Sequence, residues 1–278
     1  MSLLSNKSLD LHIGARAVHG VLRPAWSRHK VLAKARQEFG LLPGENQAAE
    51  SVNDNWTACS QAIDSVLSDL GVAAANHKND LRIVLADSRV HFDVVSGDYG
   101  GASERHLEAI ATACVIETLG ERASRQIVRW QLQPDMRHLL ISSIDTQDIE
   151  SVAQVASRHQ LSVTSFQPDF CAKWNQYAKS LPGGTGVFTT SSDGHLIVVF
   201  ALAGSIAALS CGSSLGDGRT VPYDIRSKDS VDERVDRLLS SVGRDASEIS
   251  TFIMVAPNQE HIPKSLRWKV INLPQEPA

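Results

Sequence analysis

No two cysteines of this chain stand at CxxC spacing; Cys59, Cys114, Cys171 and Cys211 are scattered through apolar segments. That usage excludes a disulfide framework and is expected of reduced core residues in a cytosolic protein. No cysteine or histidine pair has the separation of zinc ligands, although there are 10 histidines, so no structural metal is expected. Long hydrophobic runs are also missing. The longest, Leu196 to Leu209, is interrupted at Gly204-Ser205 and falls short of the ~20 residues a membrane-spanning helix needs. The segment Met1 to Lys7 carries no apolar stretch after its charge, which argues against a signal peptide. Neither sign of charge dominates: 27 Lys and Arg face 31 Asp and Glu, interspersed, for a net charge of -4. A basic stripe for nucleic acid is therefore not expected. Low-complexity tracts and short-period repeats are absent as well. What is there, 278 residues with 42% hydrophobic and 21% charged content, suits one large or two ordinary globular domains.

Patterning along the chain points to mixed α/β structure. Leu9 to Leu22 reads as two short strands around a turn at Gly14-Ala15, and Trp26 to Phe39 as either a third strand or a short helix. From Asn55, the apolar positions Trp56, Cys59, Ile63, Val66, Leu67 and Leu70 recur at helical spacing, with Gly71 able to end the helix at positive φ. Leu81 to Leu85 and Val90 to Val95, joined by Ala86-Asp87-Ser88-Arg89, give a hairpin signal. A Gly-rich stretch, Ser96 to Ala102, then leads into a helix capped by Ser103 and stopped at Gly120.

Strands follow at Ile127 to Leu132 and His138 to Ile144, and Asp145 or Thr146 caps the next helix. Leu161 to Phe166 is strand-like. Pro168 suits the first turn of a helix burying Phe170, Trp174, Tyr177, Ala178 and Leu181. After Pro182-Gly183-Gly184 a meander of three strands runs from Gly186 to Cys211, followed by a capping box at Ser230 to Glu233, a helix and two closing strands. A boundary near 168 to 184 is natural, with residues 1–167 in a first domain and 168–278 in a smaller second one.

Two passages carry a resemblance. One is Leu81 to Val95 with Glu104 to Gly120; the other is Val128 to Leu181, which runs strand, strand, Asp-led helix, strand, the turn Ser165-Phe166-Gln167-Pro168, and a helix bearing Trp174-Asn175. Together with the meander at Ser192 to Gly204, they resemble the actin-like assembly proteins of type IV pili and type II secretion, of the PilM, MshI and GspL cytoplasmic-domain type. The resemblance implies a two-lobed, actin-like architecture of ribonuclease H-like lobes with mixed sheets. It also implies a cytoplasmic scaffold recruited to the inner membrane by a PilN-like or GspM-like partner, with an assembly ATPase as a further contact. The alternative is an actin-like ATP-binding protein, an ATPase or kinase relative with an unusual nucleotide site.

An actin-like ATPase needs Gly-containing hairpins whose backbone N–H groups meet phosphate, and carboxylates for hydrated magnesium. Active members carry D-x-G in the first hairpin, whereas this chain has His12-Ile13-Gly14, with Asp10 two residues earlier. Asp10 lies on the same strand face about 6.6 Å away. The second hairpin offers Asp193-Gly194, a dipeptide that ordinarily makes a tight turn. Asp10, Gly14, Asp193 and Gly194 are thus the weak nucleotide-site candidates. No cofactor is expected, and Mg-ATP enters only under the alternative reading. Asp10, Asp87 and Asp145 could also be read as a nuclease-type acidic cluster, but a helix cap and a turn account for the last two. Trp26 and Tyr99, aromatics in basic or Gly-rich surroundings, are the candidate partner anchors.

Overall fold

The computed structural model describes residues 7–24, 27, 30–39, 52–71, 80–192, 195–213, 231–256 and 268–272. The chain divides into two compact units, Met1–Arg89 with Ile144–Pro168, and Val90–Ser143 with Asp169–Ala278. The division adds crossings after Arg89 and Ser143 to the one after Pro168.

The first unit is a five-stranded sheet in the order β3-β2-β1-β4-β8. Its strands are β1 (Lys7–Ile13), β2 (Ala17–Pro24), β3 (Ala33–Glu38), β4 (Asp80–Leu85) and β8 (Ser162–Pro168). β1 to β3 form an antiparallel meander, while β4 runs parallel to both β1 and β8. The segment left open between strand and helix is therefore β3. Among its described residues are two α-helices, α1 (Val52–Asp69) and α3 (Thr146–Arg158). Leu9, Leu11 and Ile13 alternate inward on β1, and Ile63, Val66 and Leu67 of α1 are completely or almost completely buried. Gly20 makes the close approach of α1 to β2 feasible, since a Cβ there would stand 2.6 Å from Val66 and 2.7 Å from Leu70. Gly71 ends α1 at φ 62, as its position suggested.

The expected hairpin across residues 86–89 is not formed. β4 pairs only within the first sheet, whereas β5 (His91–Ser96) joins a three-stranded sheet ordered β5-β7-β6. Its other members are β6 (Gln126–Leu132) and β7 (His138–Asp145). Two apolar runs with a four-residue joint look alike whether the chain turns back or passes on to another sheet. What decides here is that β4 already has a parallel neighbour on each side. α2 (Glu104–Leu119) covers this small sheet, burying Leu107, Ala111 and Val115 against Leu139 and Ile141. Ser103 caps it by accepting from the His106 N–H at 3.3 Å.

The rest of the second unit repeats the first sheet's strand order, as β11-β10-β9-β12-β13. The strands are β9 (Gly186–Ser192), β10 (His195–Leu202), β11 (Ser205–Ser213), β12 (Phe252–Ala256) and β13 (Trp268–Asn272). Again three antiparallel strands precede two parallel ones. β10 shows why its sequence is continuously apolar: Leu196, Val198 and Phe200 face α5 (Val231–Ser241), and Ile197, Val199 and Ala201 face a second core with Phe92, Leu140 and Phe170. Both faces are covered, so alternation disappears. α4 (Asp169–Tyr177) starts directly after Pro168, which closes β8 instead of occupying a helical turn.

The β6–β7 turn is fastened to the β10–β11 turn. Gln133 Oε1 accepts the Ile206 N–H at 3.0 Å, and Ser205 Oγ accepts the Asp135 N–H at 3.1 Å. Ile206 is 1% exposed, so its N–H has no recourse to solvent. Gln133→Ala is expected to cost about 1–3 kcal/mol, the penalty for a buried donor left without an acceptor. Urea unfolding measures it, and a loss no larger than at an exposed glutamine would contradict this role.

Candidate functional site

The first place to look is the β1–β2 turn. There the Gly14 N–H donates to the Ala17 carbonyl at 2.8 Å, and the Ala86 N–H at the end of β4 donates to the Ile13 carbonyl at 2.8 Å. Gly14 does not take a positive φ. His12 sits directly opposite His19 across the two strands, their ring centroids 6.3 Å apart.

Asp10 lies further back on β1, and its neighbours decide what it can do. Its carboxylate accepts from Arg23 Nε of β2 at 3.1 Å, and Arg82 Nη2 of β4 stands 2.9 Å from its second oxygen. β4 runs beside β1 with Arg82 directly opposite Asp10. Two guanidiniums thus hold the Asp10 carboxylate. Carboxylate oxygens turned towards two cations are poorly placed to take a third, divalent one.

A second constellation, which sequence reading did not find, lies at the end of β4. The Arg89 guanidinium lies 4.5 Å from the Trp56 ring centroid and 5.8 Å from that of Phe39. Trp56 hydrogen-bonds Asp148 in the first turn of α3, and Asp145 caps the same helix by accepting from the Gln147 N–H at 3.0 Å. Burial pushes the Asp148 carboxyl up to about 7; Arg89 opposes the shift and Asp145 adds to it. Burial likewise raises the Cys59 thiol to about 11, which keeps it protonated and unreactive. Asp87 is buried at 2% exposure. The nuclease-type grouping of Asp10, Asp87 and Asp145 is not assembled: among the described residues no three His, Cys, Asp or Glu side chains are placed to share a metal ion.

In the second unit the corresponding turn, Asp193-Gly194, lies outside the described residues, as does Trp26. Just beyond the turn, burial and the nearby Arg234 lower the His195 imidazole to about 4, so it is neutral at physiological pH. Tyr99 is not an exposed anchor. It is 5% exposed, its hydroxyl donates to the Val95 carbonyl at 3.2 Å, and its ring folds over Gly97, where a Cβ would come within 2.7 Å. The absence of a side chain at Gly97 lets the ring turn inward. Asp169 and Lys173 form a buried pair at 2.6 Å on α4; their i, i+4 spacing was the available signal.

No family model matches the sequence, and no curated protein matches it. Solved structures do. The cytoplasmic domain of EpsL, an inner membrane component of the type II secretion system of Vibrio cholerae, aligns over 96% of this chain and 89% of its own, at 9% identity and TM-score 0.53. The PilM-PilN type IV pilus biogenesis complex aligns over 90% and 80%, at 14% identity and TM-score 0.54. A Bacteroides thetaiotaomicron protein with an actin-like ATPase fold and unknown function aligns over 91% and 82%, at 9% identity and TM-score 0.52.

The fold is actin-like. Such a fold implies magnesium-bound ATP, and two residues of β1, His12 and Asp10, do not fit it. His12 stands where active members carry the acid, and Asp10 is taken up by Arg23 and Arg82. Among the described residues no helix is long and apolar enough to cross a membrane.

Proposed function

We propose that this chain is a non-catalytic scaffold of a type IV pilus or type II secretion-like assembly platform, acting in the cytoplasm and held at the inner membrane by a PilN-like or GspM-like partner. The observation that carries the non-catalytic part is the state of Asp10, fixed between two arginines drawn from the strands on either side. The assembly part draws on the resemblance of residues 81–95, 104–120, 128–181 and 192–204 to pilus and secretion subunits. It is supported by the likeness of the fold to the EpsL cytoplasmic domain and to PilM-PilN. An assembly ATPase would dock on the same scaffold.

Thermal unfolding with and without Mg-ATP tests this reading. A working site at 100 times its dissociation constant would stabilise the protein by about 2.7 kcal/mol. The scaffold is expected to show no magnesium-dependent shift at millimolar nucleotide. A saturable rise in Tm that requires magnesium would refute it.

A further inference from the structure

β6 is a terminal strand: β7 holds one of its edges, and among the described residues no strand pairs with the other. A groove of about 590 Å³ lies between this strand and α2. Five consecutive residues, Gln126 to Trp130, line it. The lining is apolar at Val115 and Ile116 of α2 and at Val128 and Trp130 of β6, with Ile116 55% exposed. Glu108 and Glu121 also line it.

An unsatisfied strand edge is complementary to another extended backbone. A second copy of this chain is a poor occupant. Two β6 strands paired antiparallel about their midpoint would set Arg129 opposite Arg129, since it is the fourth of seven residues. Like charges placed directly opposite destabilise a sheet.

We propose that the open edge of β6 takes up an extended segment of a partner protein as a fourth strand. The segment carries apolar residues at alternate positions against Val128, Trp130 and Ile116, a basic residue towards Glu108 and Glu121, and an acidic residue opposite Arg129. The inference rests on the scaffold reading and names the surface through which that scaffold engages a partner.

The test uses a labelled heptapeptide, Lys-Thr-Val-Glu-Val-Thr-Val with blocked ends, titrated with the full chain by fluorescence anisotropy. The probe is expected to bind and to slow amide hydrogen exchange across Gln126 to Leu132. Ile116→Lys should weaken binding by about tenfold or more. Arg129→Glu should weaken it comparably, and a probe with lysine in place of its central glutamate should restore affinity to that variant. Both side chains are exposed, so the variants should keep the wild-type Tm. Absence of binding at about 1 mM probe, equal binding by the variants, or failure of the swapped probe to restore affinity each overturns the proposal. So does self-association of the wild type that Arg129→Glu alters. None of these outcomes bears on nucleotide, so this surface and the non-catalytic reading fail separately.

Discussion

Lys173→Met is expected to lower the unfolding free energy by about 3–5 kcal/mol, the usual loss when one member of a buried ion pair is removed. Lys173 Nζ and Asp169 Oδ2 are 2.6 Å apart, and each side chain is only 9% exposed. Asp169 opens α4, where the N-terminal N–H groups favour an anion. Without Lys173 that carboxylate keeps its desolvation and loses its counter-charge. Asp169→Leu should cost a similar amount by stranding the ammonium. The double replacement Asp169→Leu with Lys173→Met is expected to fall far below the sum of the two, because no uncompensated charge remains. Urea unfolding of the four proteins gives the coupling directly. Additive losses would show that the pair is solvated in solution.

Asp148 should make the protein less stable as pH rises from 4 to 7. Its carboxyl is raised from an ordinary 3.8 to about 7, chiefly by burial. Between those values the folded chain holds a proton that the unfolded chain has released, so the favourable contribution is complete below pH 4. It declines as pH approaches 7 and is gone above it. At 1.36 kcal/mol per unit the full span is on the order of 4 kcal/mol. Asp148→Asn keeps an oxygen for the Trp56 indole and cannot ionise. It should therefore flatten this slope and be more stable than wild type at pH 8, with little difference at pH 4. His195 acts in the opposite sense: its lowered value means stability is lost as pH falls from about 6.5 towards 4. Urea unfolding of wild type, Asp148→Asn and His195→Gln across pH 4–8 separates the two. An unchanged slope in Asp148→Asn would mean that the carboxyl is hydrated.

Local chemistry was well expressed in the sequence. Ser103 and Asp145 cap the helices where their positions indicated, Gly71 ends α1, and the β1–β2 turn falls at Gly14. The actin-like architecture came from the resemblance, since patterning alone supports only mixed α/β structure; the structure then shows the same strand order twice. Long-range choices were harder to see. Asp10 and Arg82 are 72 positions apart and meet only because β1 and β4 pair in parallel at that register. Gln133 reaches Ile206 through the placement of two turns, which leaves no periodic trace. The run around residues 86–89 carried a true turn signal, but a local signal does not say which sheet the next strand will join. Tyr99 misled for a related reason: a Gly-rich neighbourhood suggests exposure, yet here glycine makes room for the ring.

Equilibrium dialysis of the purified chain against labelled ATP with millimolar magnesium puts the central claim to its most direct test. With His12 in place of the acid and Asp10 engaged by Arg23 and Arg82, the label is expected to distribute equally across the membrane at every concentration. Retention by the protein approaching one nucleotide per chain, abolished by removing magnesium, would contradict the account.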